Sequence, residues 1–171
     1  DQSVAVVALF LAGGYAHRGQ MNDSEPSQIP EMITAYSEVF ENLTEETMPD
    51  LLALASDDIV FTDPFNKVFG KEGFEAIFRH MFETCEDPVF IVSDLAAGNQ
   101  AWYLRWRMTG RLRSWPRTSL ALEGMSEVRL DEAGLISHHI DHWDSASQLL
   151  TNLPLIGAVM RFILKIFRVG G

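Results

Sequence analysis

Residues 101–143 read AWYLRWRMTGRLRSWPRTSLALEGMSEVRLDEAGLISHHIDHW. The stretch alternates. Trp102, Leu104, Trp106 and Met108 stand against Tyr103, Arg105 and Arg107. Leu120, Leu122, Gly124, Ser126, Val128 and Leu130 stand against Ala121, Glu123, Glu127 and Arg129, with Met125 among the polar set. A period of two belongs to a strand with one face on a core and the other in water. Strands are therefore predicted over Ala101–Thr109, Thr118–Leu130 and Leu135–Trp143, the even positions of the first two facing inward. The links Gly110–Pro116 and Asp131–Gly134 are short and rich in turn formers, so neighbouring strands run antiparallel. Val89–Leu95 adds a strand ahead of them, turned at Ala97-Gly98-Asn99.

Upstream the period changes to helical. From Ile29 to Leu43 the apolar positions Ile29, Met32, Ile33, Tyr36, Val39, Phe40 and Leu43 step by three and four, with Pro30 accepted in the first turn. Thr47 is read as the cap of a short helix over Leu51–Ala55. Ile59–Thr62 reads as a strand ended by Asp63-Pro64. Lys71–Thr84 repeats the helical step through Phe74, Ile77, Phe78, Met81 and Phe82. Helices first and strands last argue an α+β domain. Ile59, Phe61 and Asp63 share a face, which sets a carboxylate at the inner end of an apolar row.

The 171 residues suffice for one domain with a full core. Hydrophobic residues make up 47% and charged residues 22%, too apolar a mixture for a disordered chain. The net charge is −11, and an acidic surface repels phosphate, so nucleic acid is not expected as a partner. Cys85 is the only cysteine, which excludes an intramolecular disulfide and a cysteine zinc site. Glu83, Glu86 and Asp87 surround it in sequence, so an unreactive thiol is expected. Gly70–Gly73 reads as a turn into a helix, not a phosphate loop. Arg105, Arg107, Arg111 and Arg113 are expected in solvent or at an interface, paired with acids such as Glu123 and Glu127.

The ends differ from the middle. Residues 1–27 form an extension with an apolar run, Val4–Ala12, and no ordered structure is expected there. Translated upstream sequence starting before Met21, a leader remnant and an added helix all suit it. The domain proper is read as 28–150. Residues 151–171 follow as an amphipathic basic helix broken at Pro154 and Gly157. Ser145–Gly171 holds Arg161, Lys165 and Arg168 and no acid, so against the net −11 the rest of the chain carries −14. The apolar stripe of this helix suits packing on the domain, on a second subunit, or on an anionic membrane surface through 154–168. With no apolar run of spanning length, a cytoplasmic location is expected.

The last strand carries His138, His139 and His142. Three readings fit: a metal site, structural histidines at a sheet rim or interface, and an acid/base pair in a pocket. One strand face offers only two donors, so no metal is assigned. Imidazole with a sheltered Asp has the right chemistry for proton transfer near neutral pH.

The order of these parts resembles the nuclear-transport-factor-2-like superfamily, which holds ketosteroid isomerases and SnoaL-like polyketide cyclases. The likeness rests on the helix with Tyr36, Ser-Asp-Asp-Ile-Val-Phe-Thr-Asp-Pro-Phe (56–65), Gly-Lys-Glu-Gly-Phe-Glu-Ala-Ile (70–77) and Gly-Leu-Ile-Ser-His-His-Ile-Asp-His-Trp-Asp (134–144). The resemblance implies a cone: a strongly curved antiparallel sheet wrapped around the N-terminal helices, with a cavity at its open end, commonly a homodimer. It further implies that Asp63 stands where ketosteroid isomerases hold their proton-shuttling Asp. Tyr36 falls on the helix of their oxyanion-binding Tyr, and Ser126 replaces their second donor. His139 and Asp144 match polar positions of the closing strand, with Asp141 between them.

The site expected from residues and resemblance together is Asp63, Tyr36, His139 and Asp141 in a pocket lined by Phe61, Trp102, Trp106, Ser126, Val128 and Trp143. Such a pocket suits a small apolar carbonyl compound and proton transfer without a cofactor. Asp63 serves as base; Tyr36, Ser126 or His139 hold the developing oxyanion. A non-catalytic binding or dimerisation module of the same shape is the competing expectation.

Overall fold

The structure, a computed structural model, describes residues 29–167. The expectations for residues 1–27 lie outside it.

Helix α1 spans Glu31–Glu41, with Pro30 at its N-cap and Asn42 closing it through a bond from Nδ2 to the Glu38 carbonyl. Ile33, Tyr36, Ser37 and Phe40 form its buried face, the i, i+3, i+4, i+7 stripe that a core-facing helix needs. Helix α2, Met48–Leu54, carries Pro49 in its first turn. Thr47 holds the N-cap position, but its hydroxyl serves the preceding loop: Oγ1 donates to the Asn42 carbonyl and accepts from the Thr44 amide. Helix α3, Gly70–Thr84, buries Phe74, Phe78 and Phe82.

Six strands form one sheet: β1 Ala55–Thr62, β2 Lys67–Phe69, β3 Cys85–Ala97, β4 Trp102–Leu112, β5 Ser119–Leu130 and β6 Ile136–Trp143. Their order is β2-β1-β6-β5-β4-β3. The meander β3 to β6 is antiparallel as expected. The sheet as a whole is mixed, because β1 lies parallel to β6. The cause is the chain's route. From the β1–β2 edge, α3 carries the chain across the inside of the sheet to the opposite edge at β3, touching both β1 and β3 on the way. The sheet therefore bends around α3 and α1, and register shifts in β1, β3 and β6 allow the bend.

Inward positions match the alternation in β4 and β5: Leu104, Trp106, Met108, Leu122, Ser126 and Val128 are buried. The core gathers Ile33, Tyr36, Phe40, Phe74, Phe78 and Val128 at the closed end of the cone. On the outer face Arg105 and Arg107 meet Glu123 at 3.5 and 2.7 Å, and Arg129 meets Glu127 at 2.5 Å. Such exposed pairs add about 0.2–1 kcal/mol each. Arg111 and Arg113 bond backbone carbonyls of Arg117 and Phe82 instead. After β6 come a short helix α4, Ser145–Gln148, a single 3-10 turn, Leu150–Asn152, and helix α5, Ile156–Phe167.

Candidate active site

A cavity of about 500 Å3 opens between α3 and the inner faces of β3 to β6. Most of its wall is apolar, including Met81, Met108, Leu120, Leu122 and Trp106. Asp63, Asn66, Ser126, His139 and Asp141 are its polar side chains toward the β1–β6 side. No Lys or Arg lines it among the described residues.

The face of β6 that reaches this cavity is set by an irregularity. Leu130 pairs with Ile136, yet Arg129 pairs with His138, so one residue is passed over. Parity changes there: Ile136 and His139 are both buried. Beyond the shift, the odd residues His139, Asp141 and Trp143 line the cavity. His138 bonds Ser137 Oγ, and His142 lies exposed near Glu127 on the outer face. Asp144 caps α4 by accepting the Ser147 amide at 2.9 Å, and that bonding holds its carboxyl below the usual range. It takes no part in the cavity.

Five side chains from four elements make one chain of hydrogen bonds. Trp106 Nε1–H donates to Ser126 Oγ at 2.8 Å. Ser126 then gives its own proton to Asp141 Oδ1 at 2.5 Å, the short length of a bond to a carboxylate. The same oxygen meets His139 Nε2 at 2.8 Å, and His139 Nδ1 meets Tyr36 Oη at 2.8 Å. Direction follows from donor supply. A carboxylate can only accept, so Nε2 carries the imidazole proton and Nδ1 accepts from the Tyr36 hydroxyl. Asp141 Oδ2 makes no hydrogen bond among the described residues and is not sealed off, and the residue's side chain is 19% exposed. One oxygen is anchored; the other faces the cavity.

Each expected site residue has a definite place. His139 and Asp141 are joined directly. Asp63 lines the cavity and is half-buried, but its carboxylate is engaged by the turn that follows: Oδ1 accepts the amides of Phe65 and Asn66 at 2.7 and 2.6 Å, and Asn66 Nδ2 spans both oxygens. Thr62 pairs with Ile140, so Asp63 and Asp141 follow next along two adjacent strands.

Tyr36 is fully buried behind His139 and does not line the cavity, so it positions the imidazole and cannot reach a ligand. Trp102 and Val128, paired across β4 and β5, belong to the core rather than the cavity wall. Val128 is fully buried in the same core cluster as Tyr36, Phe40 and Phe78. Phe61, Trp106, Ser126 and Trp143 do line the cavity. The Trp143 indole N–H makes no hydrogen bond among the described residues and is not sealed from solvent. Sequence reasoning missed Leu120, Leu122 and Met108 as wall residues, although their inward parity was the available signal. Ile77 and Met81 of α3 carried none beyond ordinary helix amphipathicity.

Burial pushes the Tyr36 phenol well above its ordinary value of 10.0, and the Asp141 carboxylate adds to the rise. The folded state therefore keeps this proton where the unfolded chain loses it. Stability from this source is intact below about pH 10 and falls as pH rises above it. The Tyr36→Phe variant is expected to lack that alkaline slope, up to ~1.4 kcal/mol per pH unit. Urea midpoints of both proteins across this range check it; parallel curves would refute the assignment. Cys85 is buried at the cavity wall, and burial, more than its acidic neighbours, raises its thiol. Among the described residues no group of three His, Cys, Asp or Glu is placed to hold a metal ion.

Several solved structures share this fold. An NTF2-like protein of unknown function from Exiguobacterium sp. 255-15 is 20% identical, covers 66% of this chain and 98% of its own, and superposes with a TM-score of 0.58. A hypothetical protein of ketosteroid isomerase-like fold from Catenulispora acidiphila, solved with trimethylamine, is 16% identical over 71% and 92%, with a TM-score of 0.59. A candidate polyketide cyclase from Xanthomonas campestris is 14% identical over 68% and 90%, with a TM-score of 0.56. At these identities the likeness establishes the fold. No protein of curated function matches the chain. The sequence pattern of the SnoaL-like domain matches residues 36–139, more than half of the chain and the whole span from the Tyr36 hydroxyl to the imidazole it holds. This chain belongs to the SnoaL-like domain family.

Proposed function

We propose that the protein binds a small apolar carbonyl compound and catalyses proton transfer next to the carbonyl, as an isomerase or cyclase would. The observation that carries this reading is the split role of Asp141. Its Oδ1 is pinned by His139 and Ser126, and its Oδ2 is free in an apolar cavity. A carboxylate held that way removes a proton from carbon and returns it elsewhere on the same face of the substrate. His139 and Ser126 keep the resulting carboxylic acid oriented. The donors first considered for the oxyanion are committed: Tyr36 to His139, and Ser126 and His139 to Asp141. Trp143, two residues beyond Asp141 on the same strand face, supplies the free N–H for the carbonyl oxygen. The general base is therefore Asp141, with Asp63 shaping the rim through its turn.

A proton-exchange assay tests this reading. The α-protons of 2-tetralone, a flat bicyclic ketone, are followed by NMR in D2O. The expected result is exchange above the buffer rate and proportional to protein concentration. Exchange at the buffer rate, for this and larger fused-ring ketones, would remove the catalytic reading.

A second reading is binding without turnover. Two carboxylates and a ring of aromatic residues, with no Lys or Arg, also suit a small organic cation. The Catenulispora protein of the same fold was solved in complex with trimethylamine, a small organic amine. The outer sheet face, with Val89, Ile91 and Met125 exposed beside Arg107 and Glu123, suits a homodimer. Native mass spectrometry reads that directly.

A further inference from the structure

We propose that helix α5 docks the protein on an anionic lipid surface. The proposal is independent of the reaction above and rests on the direction in which the helix is amphipathic. Gly157 is buried and Met160 and Leu164 are half-buried, so this row faces the preceding turn. Val159, Phe162, Ile163 and Ile166 form the i, i+3, i+4, i+7 row on the other side, and it is exposed; Phe162 is 69% and Ile166 68% accessible. An apolar stripe normally points at a core, and this one points away from it.

The contacts of α5 with the rest of the chain are concentrated on the 3-10 turn just before it. Lys165 flanks the stripe, about 60° around the helix from Phe162 at 100° per residue, whereas Arg161 lies nearer the Gly157 row and donates to the Thr151 carbonyl. Arg168 follows in sequence, and Ser145–Gly171 holds no acid although the whole chain carries −11. The segment that carries the exposed stripe is thus basic in a chain that is acidic overall. That pairing fits acyl chains beneath anionic headgroups.

A second copy is the competing occupant of this stripe. Twelve residues make a rod about 18 Å long and roughly 10 Å wide. No helix among the described residues is long and apolar enough to cross a membrane, so the geometry points to lying on the surface.

Vesicle flotation of the full chain tests this. The expected result is flotation with phosphatidylcholine vesicles containing one-third phosphatidylserine and little with phosphatidylcholine alone. The R161E/K165E variant is expected to lose about tenfold or more in partitioning, and F162S/I166S to lose flotation on both. F162S/I166S should keep the parent's thermal midpoint; R161E also removes the bond from Arg161 to the Thr151 carbonyl, so K165E alone is the stability-matched charge variant. Failure of the full chain to float on the anionic vesicles would overturn the proposal. So would equal flotation of F162S/I166S, which would assign binding to another segment. Conversion of a dimer to monomer by F162S/I166S would assign the stripe to a second copy.

Discussion

Asp141→Asn is expected to cut proton exchange by about 10²–10⁴-fold, the usual worth of a positioned general base. The change is isosteric. The amide oxygen can still accept from His139 Nε2 and Ser126 Oγ, so the bond chain from Trp106 to Tyr36 stays closed. The NH2 group then takes the place of Oδ2 and offers the cavity a donor where it had a base. Binding of a ketone, read through Trp106 and Trp143 fluorescence, should change little. Asp63→Asn is the matched control. Its amide oxygen still accepts the Phe65 and Asn66 amides, and only the contact of Asn66 Nδ2 with the second oxygen is lost. Exchange should fall by less than a few-fold, with a stability cost of about 1 kcal/mol. The reverse pattern, with Asp63→Asn inactive and Asp141→Asn active, would return the base to Asp63.

Gly124→Ala should destabilise the fold by about 2–4 kcal/mol, although a methyl group on an ordinary strand glycine stabilises. A Cβ at Gly124 would stand 2.5 Å from Trp106 Cζ2, 2.8 Å from Cη2 and 2.9 Å from the His142 carbonyl oxygen. Trp106 and Gly124 are register partners on β4 and β5, so the indole lies flat across the glycine. The ring is stiff and is held at the other end by its bond to Ser126 Oγ. It can yield only by breaking that bond and swinging toward the cavity. Urea unfolding should show a lower midpoint with an unchanged slope. Ligand binding should weaken as the ring enters the space it lines. Trp106→Phe in the Gly124→Ala background removes the clashing benzo ring and should recover part of the loss, a coupling that two independent sites would not show. A Gly124→Ala protein as stable as the parent would mean that the indole does not rest there.

How much of this was legible beforehand depends on how local each signal is. The stripe Ile33, Tyr36, Phe40 and the alternation through Trp106 and Ser126 are properties of neighbouring residues. They survive whatever the rest of the chain does. The α+β class, the antiparallel meander and the inward faces of β4 and β5 therefore followed from the sequence alone, whereas the face of the last strand that points inward, and with it the choice between Asp141 and His142, did not. The parallel pairing of β1 with β6 did not follow, since it depends on α3 crossing the sheet to its far edge.

The roles within the site were decided only by tertiary structure. One passed-over residue in β6 turns His139, Asp141 and Trp143 inward, and alternation cannot reveal a break in its own period. Tyr36 lies 103 residues from His139 in sequence, and only the packing of α1 under the sheet makes it a support for the imidazole instead of a ligand contact. Asp63 has the more suggestive local sequence, yet the turn at Phe65 and Asn66 engages its oxygens. Spacing along the chain determined which groups share a face. Which oxygen is left without a partner depends on every donor that folding brings near it, and that is a property of the assembled cone.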